Sequence, residues 1–334
     1  MLKSHSKTMD TNLDELTNEP IVAVCAADDN YAMPLAVMAR SAIANLNASR
    51  KLILFIIDGG IEDKNKQKIL KTLNSGNCEV KFLPKPDLFA KSIENAYTHT
   101  ITQGQGKKYI TITAYYRLMI AKILPEEIEK VIFLDCDLVI KGDLEQLWQS
   151  NLGENFVLAA QDTWIPSVSV HNGLLNYKQL KIDPNAKYFN AGVFIANLKK
   201  WRSEGFFEKA VDYLNQNKEF IRLGDQDILN ALLVGKWGEL DLRWNVTPGI
   251  YEYDGWEKSP FSEEIYNNLI QDPWIIHFAS DLKPWNSRKT LLKENFFHYV
   301  DMTAWSGWRF TLRRQFQKKV SWEFQKLKEL INRL

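Results

Sequence analysis

Residues 131–140, VIFLDCDLVI, constrain the fold of this chain more than any other stretch. Val131, Ile132, Phe133 and Leu134 form an apolar run that reads as a strand buried on both faces, and the run ends at once in Asp135 and Asp137. Side chains two residues apart on an extended backbone point the same way, so the two carboxylates share one side. Strands buried on both faces belong to sheets covered by helices, and ligands of such open α/β sheets sit at the carboxyl edge of the strands. Two carboxylates placed there repel each other unless a cation lies between them. A lone Asp-x-Asp is equally compatible with a strand followed by a polar turn, so the rest of the chain has to separate the two readings.

The flanking sequence alternates between strand and helix patterns. Residues 21–27, IVAVCAA, read as a first strand with Asp28, Asp29 and Asn30 at its end. Leu35, Met38, Ala39, Ala42, Ile43 and Leu46 then recur at helical spacing. The intervening turn has no glycine, so a dinucleotide-binding fingerprint is absent. A second strand at 52–58, a helix from about 62 to 74 and a third strand near 79–83 continue the alternation, which predicts an α/β fold with a mostly parallel, doubly wound sheet. Residues 84–108, with Gly104 and Gly106, read as a flexible loop, and 112–124 as a helix carrying Arg117.

Beyond the central strand, 142–148 turns into a short helix and a strand at 156–162 ends in Asp162. Residues 163–187 are loop-like, placed to line an acceptor pocket. Residues 188–198 form another buried strand, opening with Asn190 and Gly192, and 199–217 read as one helix. Asp225 stands where a helix N-cap would. His277 follows an apolar run, with Lys283 close behind. An arginine on a helix is usually a solvated charge, and a lone histidine near a core strand is usually structural. A carboxylate pair with one imidazole is nevertheless a reasonable shell for manganese or magnesium when a ligand's phosphates complete it, and Lys283 could neutralise a phosphate.

Composition excludes several classes. Lys plus Arg (42) nearly balances Asp plus Glu (41), which argues against nucleic acid as a partner. Three cysteines without a CxxC pair suggest neither a disulfide framework nor a zinc site, and suit a reducing cytosol. Residues 1–20 read as a loose polar tail rather than a signal peptide, and the lack of any apolar stretch of about 18 residues predicts no membrane-spanning helix. Residues 309–334 differ in character: eight basic residues face two acidic ones, and Phe316, Val320, Phe324, Leu327, Ile331 and Leu334 recur at three or four. This basic amphipathic pattern suits either an anionic membrane surface or a helix packed on its own domain or paired with a partner.

Taken in order, AADDNYA (26–32), YYRL (115–118), FLDCDLVI (133–140), YFNAGVFIANLKKW (188–201), DQDILN (225–230) and HFASDLKPW (277–285) resemble glycosyltransferase family 8, nearest to its lipopolysaccharide α-galactosyltransferases and general-stress glycosyltransferases. The resemblance covers residues 21–285 and leaves 286–334 as a helical, basic extension. It implies a GT-A fold with a Rossmann-like sheet, and a retaining transferase that moves a hexose from a UDP-sugar to a glycan or lipid-linked acceptor with Mn2+, or Mg2+. Such an enzyme would work in the cytoplasm or at the cytoplasmic face of the membrane.

Carried over residue by residue, Asp135, Asp137 and His277 match the metal ligands. Ala26, Asp28, Asn30 and Tyr31 match the loop around uridine and ribose. Arg117 and Asn190 match donor-sugar contacts, Asp225 and Gln226 the residues beside the anomeric carbon, and Lys283 a diphosphate contact. The family pattern commonly has glycine where Ser280 stands. Asp162, at a strand end, is a candidate for orienting the acceptor hydroxyl. Two other readings compete. A haloacid-dehalogenase-type phosphatase would use Asp135 as a phosphoryl acceptor, although that class usually carries its motif near the start of the domain. A non-catalytic nucleotide-sugar or glycan binder would use some of the 11 tryptophans for stacking.

Overall fold

The computed structural model describes residues 19–85, 112–317 and Val320. Most of the N-terminal tail, the Gly104–Gly106 loop and most of the amphipathic C-terminal segment lie outside the described residues. The chain opens with β1 (Ile21–Ala27), α1 (Ala32–Asn45), β2 (Leu52–Asp58), α2 (Asp63–Leu73) and β3 (Cys78–Leu83). After Ile112 follow α3 (Ile120–Ile123), β4 (Lys130–Leu134), β5 (Leu138–Ile140), α4 (Leu144–Trp148), β6 (Val157–Gln161) and β7 (Phe189–Asn197). Then come α5 (Leu198–Ser203), α6 (Phe206–Gln216), α7 (Asp225–Leu233), β8 (Trp237–Glu239), α8 (Glu263–Gln271), β9 (Ile275–His277) and α9 (Lys293–Val300).

Seven strands form one sheet in the order β3-β2-β1-β4-β7-β6-β8. All its pairings are parallel except that β7 runs antiparallel to both β4 and β6. The central strands β1, β4 and β7 are buried on both faces because their sequences are almost entirely apolar, whereas the edge strand β3 carries exposed Glu79 and Lys81. On β1, Val22 and Val24 join a core with Tyr115, Tyr116, Phe133 and Trp201. Ile21, Ala23 and Cys25 face the opposite way, against Leu35 and Met38 of α1 and Ile69 of α2. Full burial of one such aliphatic side chain stabilises by about 1.5–3 kcal/mol, so the continuous apolar run of β4 is what anchors the acidic turn that follows it.

The reversed direction of β7 matters most for the site. It brings the start of that strand, Asn190 to Gly192, to the edge where β1, β4 and β6 end. Asp135 N–H donates to Gly192 O at 2.8 Å, fixing the first acid of the pair against this edge. The second acid lies where the chain enters β5, which leaves the main sheet and pairs antiparallel with β9, matching Leu138 to His277.

Two expected helices differ in form. Residues 112–124 are a 3-10 segment over Ile112–Met119 followed by the single turn α3. Residues 115 to 119 are all buried, so the element has no solvent face on which a regular amphipathic helix could rest. The helix expected over 199–217 is broken into α5 and α6 at Gly205, which adopts the left-handed φ of 58° that a glycine tolerates best.

The region after residue 285 begins against the domain. Phe296, Phe297 and Val300 of α9 pack with Val37, Val139, Ile276 and Phe278. Arg309 then clamps Asp301 through two hydrogen bonds of 3.0 and 2.6 Å. Among the described residues, no helix is long and apolar enough to cross a membrane.

Candidate active site

The acidic turn after β4 gathers most of the residues expected from sequence. One oxygen each from Asp135 and Asp137 and a ring nitrogen of His277 lie within 4.8 Å of one another. His277 Nε2 is 3.3 Å from Asp137 Oδ1 and 3.8 Å from Asp135 Oδ2. Gly192 makes room for this arrangement: a Cβ there would sit 2.3 Å from His277 Cε1 and 2.9 Å from Asp135 Oδ2. Two carboxylates and an imidazole converging in a pocket that only a glycine leaves open fit a divalent cation such as manganese or magnesium.

The repulsion expected between the two acids is also met by the protein's own cations. Arg117 Nη2 donates to Asp135 Oδ1 at 2.7 Å, and the Lys283 ammonium is hydrogen-bonded to Asp137 Oδ2 and to the Phe278 carbonyl. Burial raises the Asp135 carboxyl despite Arg117, with the Asp137 charge adding to the effect. Burial works in the same direction on Asp137, but the Lys283 charge leads the effects that outweigh it, and that carboxyl lies well below its usual range.

Arg117 is buried rather than solvated, with 5% of its surface exposed. Its Nε lies 2.7 Å from Asp225 Oδ2 and also donates to Ala114 O, its Nη1 donates to Ala191 O, and its guanidinium lies over the Phe133 ring at 4.6 Å. Asp225 is the first residue of α7 and not its cap, a place taken by Gly224; its side chain is turned to Arg117. Burial pushes the Asp225 carboxyl up to about 7, against the pull of Arg117.

Asn230, one turn further along α7, exchanges two hydrogen bonds with the backbone of Phe189, at 2.8 and 2.9 Å. That lock holds Gln226 against β7, where its Oε1 accepts from Ala191 N–H at 3.0 Å and its Nε2 donates to Asp162 Oδ2 at 3.2 Å. Asp162 is 2% exposed. Its oxygens accept from Trp164 N–H, Ile165 N–H, Asn190 Nδ2 and Gln226 Nε2, so its carboxylate organises the site's own amides. Burial raises this carboxyl against those four donors.

On the other side of the acid pair, Asp28 Oδ1 accepts from the backbone N–H groups of Asn30 and Tyr31, shaping the turn after β1. Ala26 O receives the Cys136 thiol at 3.3 Å, which ties the end of β1 to the acidic turn. The Tyr31 ring meets Trp285 edge-on at 5.7 Å, and its phenol is raised by burial and then by the charges of Asp137 and Asp135. The sequence reading missed Asn245, which is buried between His277 and Asn190. It lies in the 3-10 turn Leu242–Asn245, where nothing in local pattern distinguishes it from a core amide.

The profile of Glycosyl transferase family 8 matches residues 22–289, a span that includes every residue of this site. The chain belongs to glycosyl transferase family 8. General stress protein A of Bacillus subtilis is 32% identical over 287 residues, covering 85% of this chain and 94% of that protein. Lipopolysaccharide 1,3-galactosyltransferase of Salmonella typhimurium is 28% identical over 186 residues, and the match spans 53% of this chain and half of that enzyme. The solved structure of galactosyltransferase LgtC, in complex with donor and acceptor sugar analogs, superimposes with a TM-score of 0.69 at 27% identity, covering 85% of this chain and 96% of that one. This family 8 member therefore has the GT-A fold, and the Asp135–Asp137 pair is its Asp-x-Asp motif.

Proposed function

We propose that the protein is a retaining hexosyltransferase that moves glucose or galactose from a UDP-sugar to a glycan or lipid-linked acceptor, with Mn2+ or Mg2+ held by Asp135, Asp137 and His277. The observation that carries this reading is the convergence of those three ligand atoms at the sheet edge, beside Arg117, Asn190 and the Asp225–Gln226 start of α7. When bound, a divalent cation neutralises the diphosphate that departs from the sugar.

The chain's own residues account for the rest. Lys283 supplies positive charge to the developing diphosphate, and Ala26, Asp28, Asn30 and Tyr31 hold the nucleoside. Arg117 and Asn190 position the hexose. Gln226 is a poor nucleophile, and its oxygen is already engaged by Ala191 N–H, which supports attack by the acceptor hydroxyl on the face that UDP leaves. In that step the bond from the anomeric carbon to the UDP oxygen breaks, the bond to the acceptor oxygen forms, and the acceptor proton passes to the departing UDP. The test is UDP release from UDP-glucose, UDP-galactose and their N-acetyl forms. Slow hydrolysis of one hexose donor, abolished by EDTA and restored by Mn2+, is the expected result; release from none of the four, with donor binding intact, would favour a binding module.

The C-terminal segment supports contact with an anionic membrane surface. Residues 312–317 are helical, and Leu312 and Phe316 on one face are 66% and 69% exposed, with Arg313 and Arg314 beside them. Because Arg309 is clamped to Asp301, the informative truncation removes residues 311–334. The truncated protein is expected to leave vesicles containing anionic lipid while hydrolysing the donor at the wild-type rate. Undiminished vesicle binding would count against the segment's role.

A further inference from the structure

The polar network behind the ligand cluster has a direction that can be read from one fixed donor. The Gly192 backbone N–H can only donate, and it points at Asn190 Oδ1 at 3.0 Å. This assigns the oxygen of the Asn190 amide and leaves its nitrogen to donate to Asp162 Oδ2 at 2.9 Å, an acceptor as the assignment requires. Asn190 Oδ1 also accepts from Asn245 Nδ2 at 2.9 Å, and the Asn190 main-chain oxygen lies 3.4 Å from the same nitrogen. Both neighbours are acceptors, so the Asn245 amide is oriented too. Its Oδ1 is left facing His277 Nδ1 at 2.8 Å.

An oxygen facing Nδ1 requires a proton on that nitrogen, and in the neutral ring this is the only proton. Nε2 then carries the lone pair, and Nε2 is the atom turned toward Asp137 and Asp135. With the opposite tautomer, an Nε2–H would fill the space between the carboxylates and hydrogen-bond to them. The backbone makes the arrangement rigid. Val246 N–H donates to Ile275 O at 3.0 Å and His277 N–H donates to Val246 O at 2.9 Å, so the bridge from Val246 to β9 holds Asn245 and His277 at a fixed separation.

We infer that Asn245 is a positioning residue that fixes neutral His277 in the Nδ1–H tautomer, so that the Nε2 lone pair faces Asp135 and Asp137 before a cation arrives. The inference rests on the proposed cation site, and it gives Asp162 and Gly192 a shared role as the groups that set the polarity of the Asn190–Asn245 relay. Partners that orient a ligating histidine through its other nitrogen commonly change metal affinity by about 10- to 100-fold when removed.

The test needs no turnover. Protein labelled with 15N-histidine and freed of metal is studied by long-range 1H–15N correlation at pH 8, with His277 assigned by its absence from a His277→Asn sample. His277 is expected to show the Nδ1–H pattern in the wild type. Asn245→Ala is expected to shift it toward Nε2–H and to weaken Mn2+ binding, followed by electron paramagnetic resonance, by about 10- to 100-fold. Asn245→Asp, whose carboxylate can still accept from Nδ1–H, is expected to keep the tautomer. An Nε2–H pattern in the wild type would overturn the inference without any variant, as would Mn2+ affinity and tautomer both unchanged in Asn245→Ala. A wild type that shows Nδ1–H but binds no Mn2+ would instead refute the cation reading and leave the tautomer assignment standing.

Discussion

Asp137→Asn is expected to lower donor hydrolysis and transfer by about 10³-fold, with donor binding weakened far less. The reason lies in how the two acids are partnered. Asp135 is raised by burial and already shares Arg117 with Asp225, whereas Lys283 leads the effects that hold Asp137 below its usual range. Replacing its carboxylate by an isosteric amide removes a full negative charge from the ligand set and leaves the shape unchanged. A bound cation contributes several kcal/mol to stabilising developing charge in a transition state, and each 1.36 kcal/mol is a factor of ten, so loss of about 4 kcal/mol gives the stated effect. Single-turnover UDP release with saturating Mn2+, for wild type and variant, measures it. The fold should persist, because relief of the Asp135–Asp137 repulsion offsets part of what Lys283 loses. Activity within tenfold of the wild type, at an unchanged melting temperature, would place the cation elsewhere.

How much of this site could be read from sequence depended on how far each contact reaches along the chain. The sheet was legible because burial on both faces writes itself into uninterrupted runs such as IVAVCAA and LILFIID, and the alternation with helices follows from local periodicity. Asp135 and Asp137 were legible for the same reason, being the abrupt end of such a run. The reversal of β7 was not, since a strand buried on both faces carries no mark of its direction. Yet that reversal is what sets Gly192 against His277 and Asn190 against Asp162.

Asp162 illustrates the limit. Its place at a strand end made it a candidate for orienting the acceptor hydroxyl; that four donors from residues 164, 165, 190 and 226 converge on it is recorded by no periodicity. Gly205 could have been recognised as a breaker inside the pattern of 199–217, whereas Asn245 is identifiable only from its two partners across the fold.

Arg117→Met is expected to be the most destabilising single change at the site, and its cost should grow with pH. The guanidinium is the cationic partner of two buried carboxylates, Asp135 and Asp225, and methionine keeps much of the volume over Phe133 while removing the charge. Removing one partner from a buried ion pair costs about 3–5 kcal/mol, because the charge left behind is no longer compensated. The sign of the pH dependence follows from the acids. Burial already lifts Asp225 from 3.8 to about 7 and raises Asp135, and without the arginine both must move higher still. A carboxyl whose folded pKa lies above its unfolded value binds more protons in the folded state, so stability falls as the pH rises from the unfolded value toward the folded one. Denaturant unfolding of wild type and variant should therefore show a smaller deficit near pH 5, below the folded value of Asp225, and a larger one near pH 8. Adding Asp225→Asn to the variant should recover part of the loss at pH 8 and little at pH 5. An equal deficit at both pH values would mean that the arginine acts through its packing and its bonds to Ala114 and Ala191, and that charge compensation is not what holds this part of the site together.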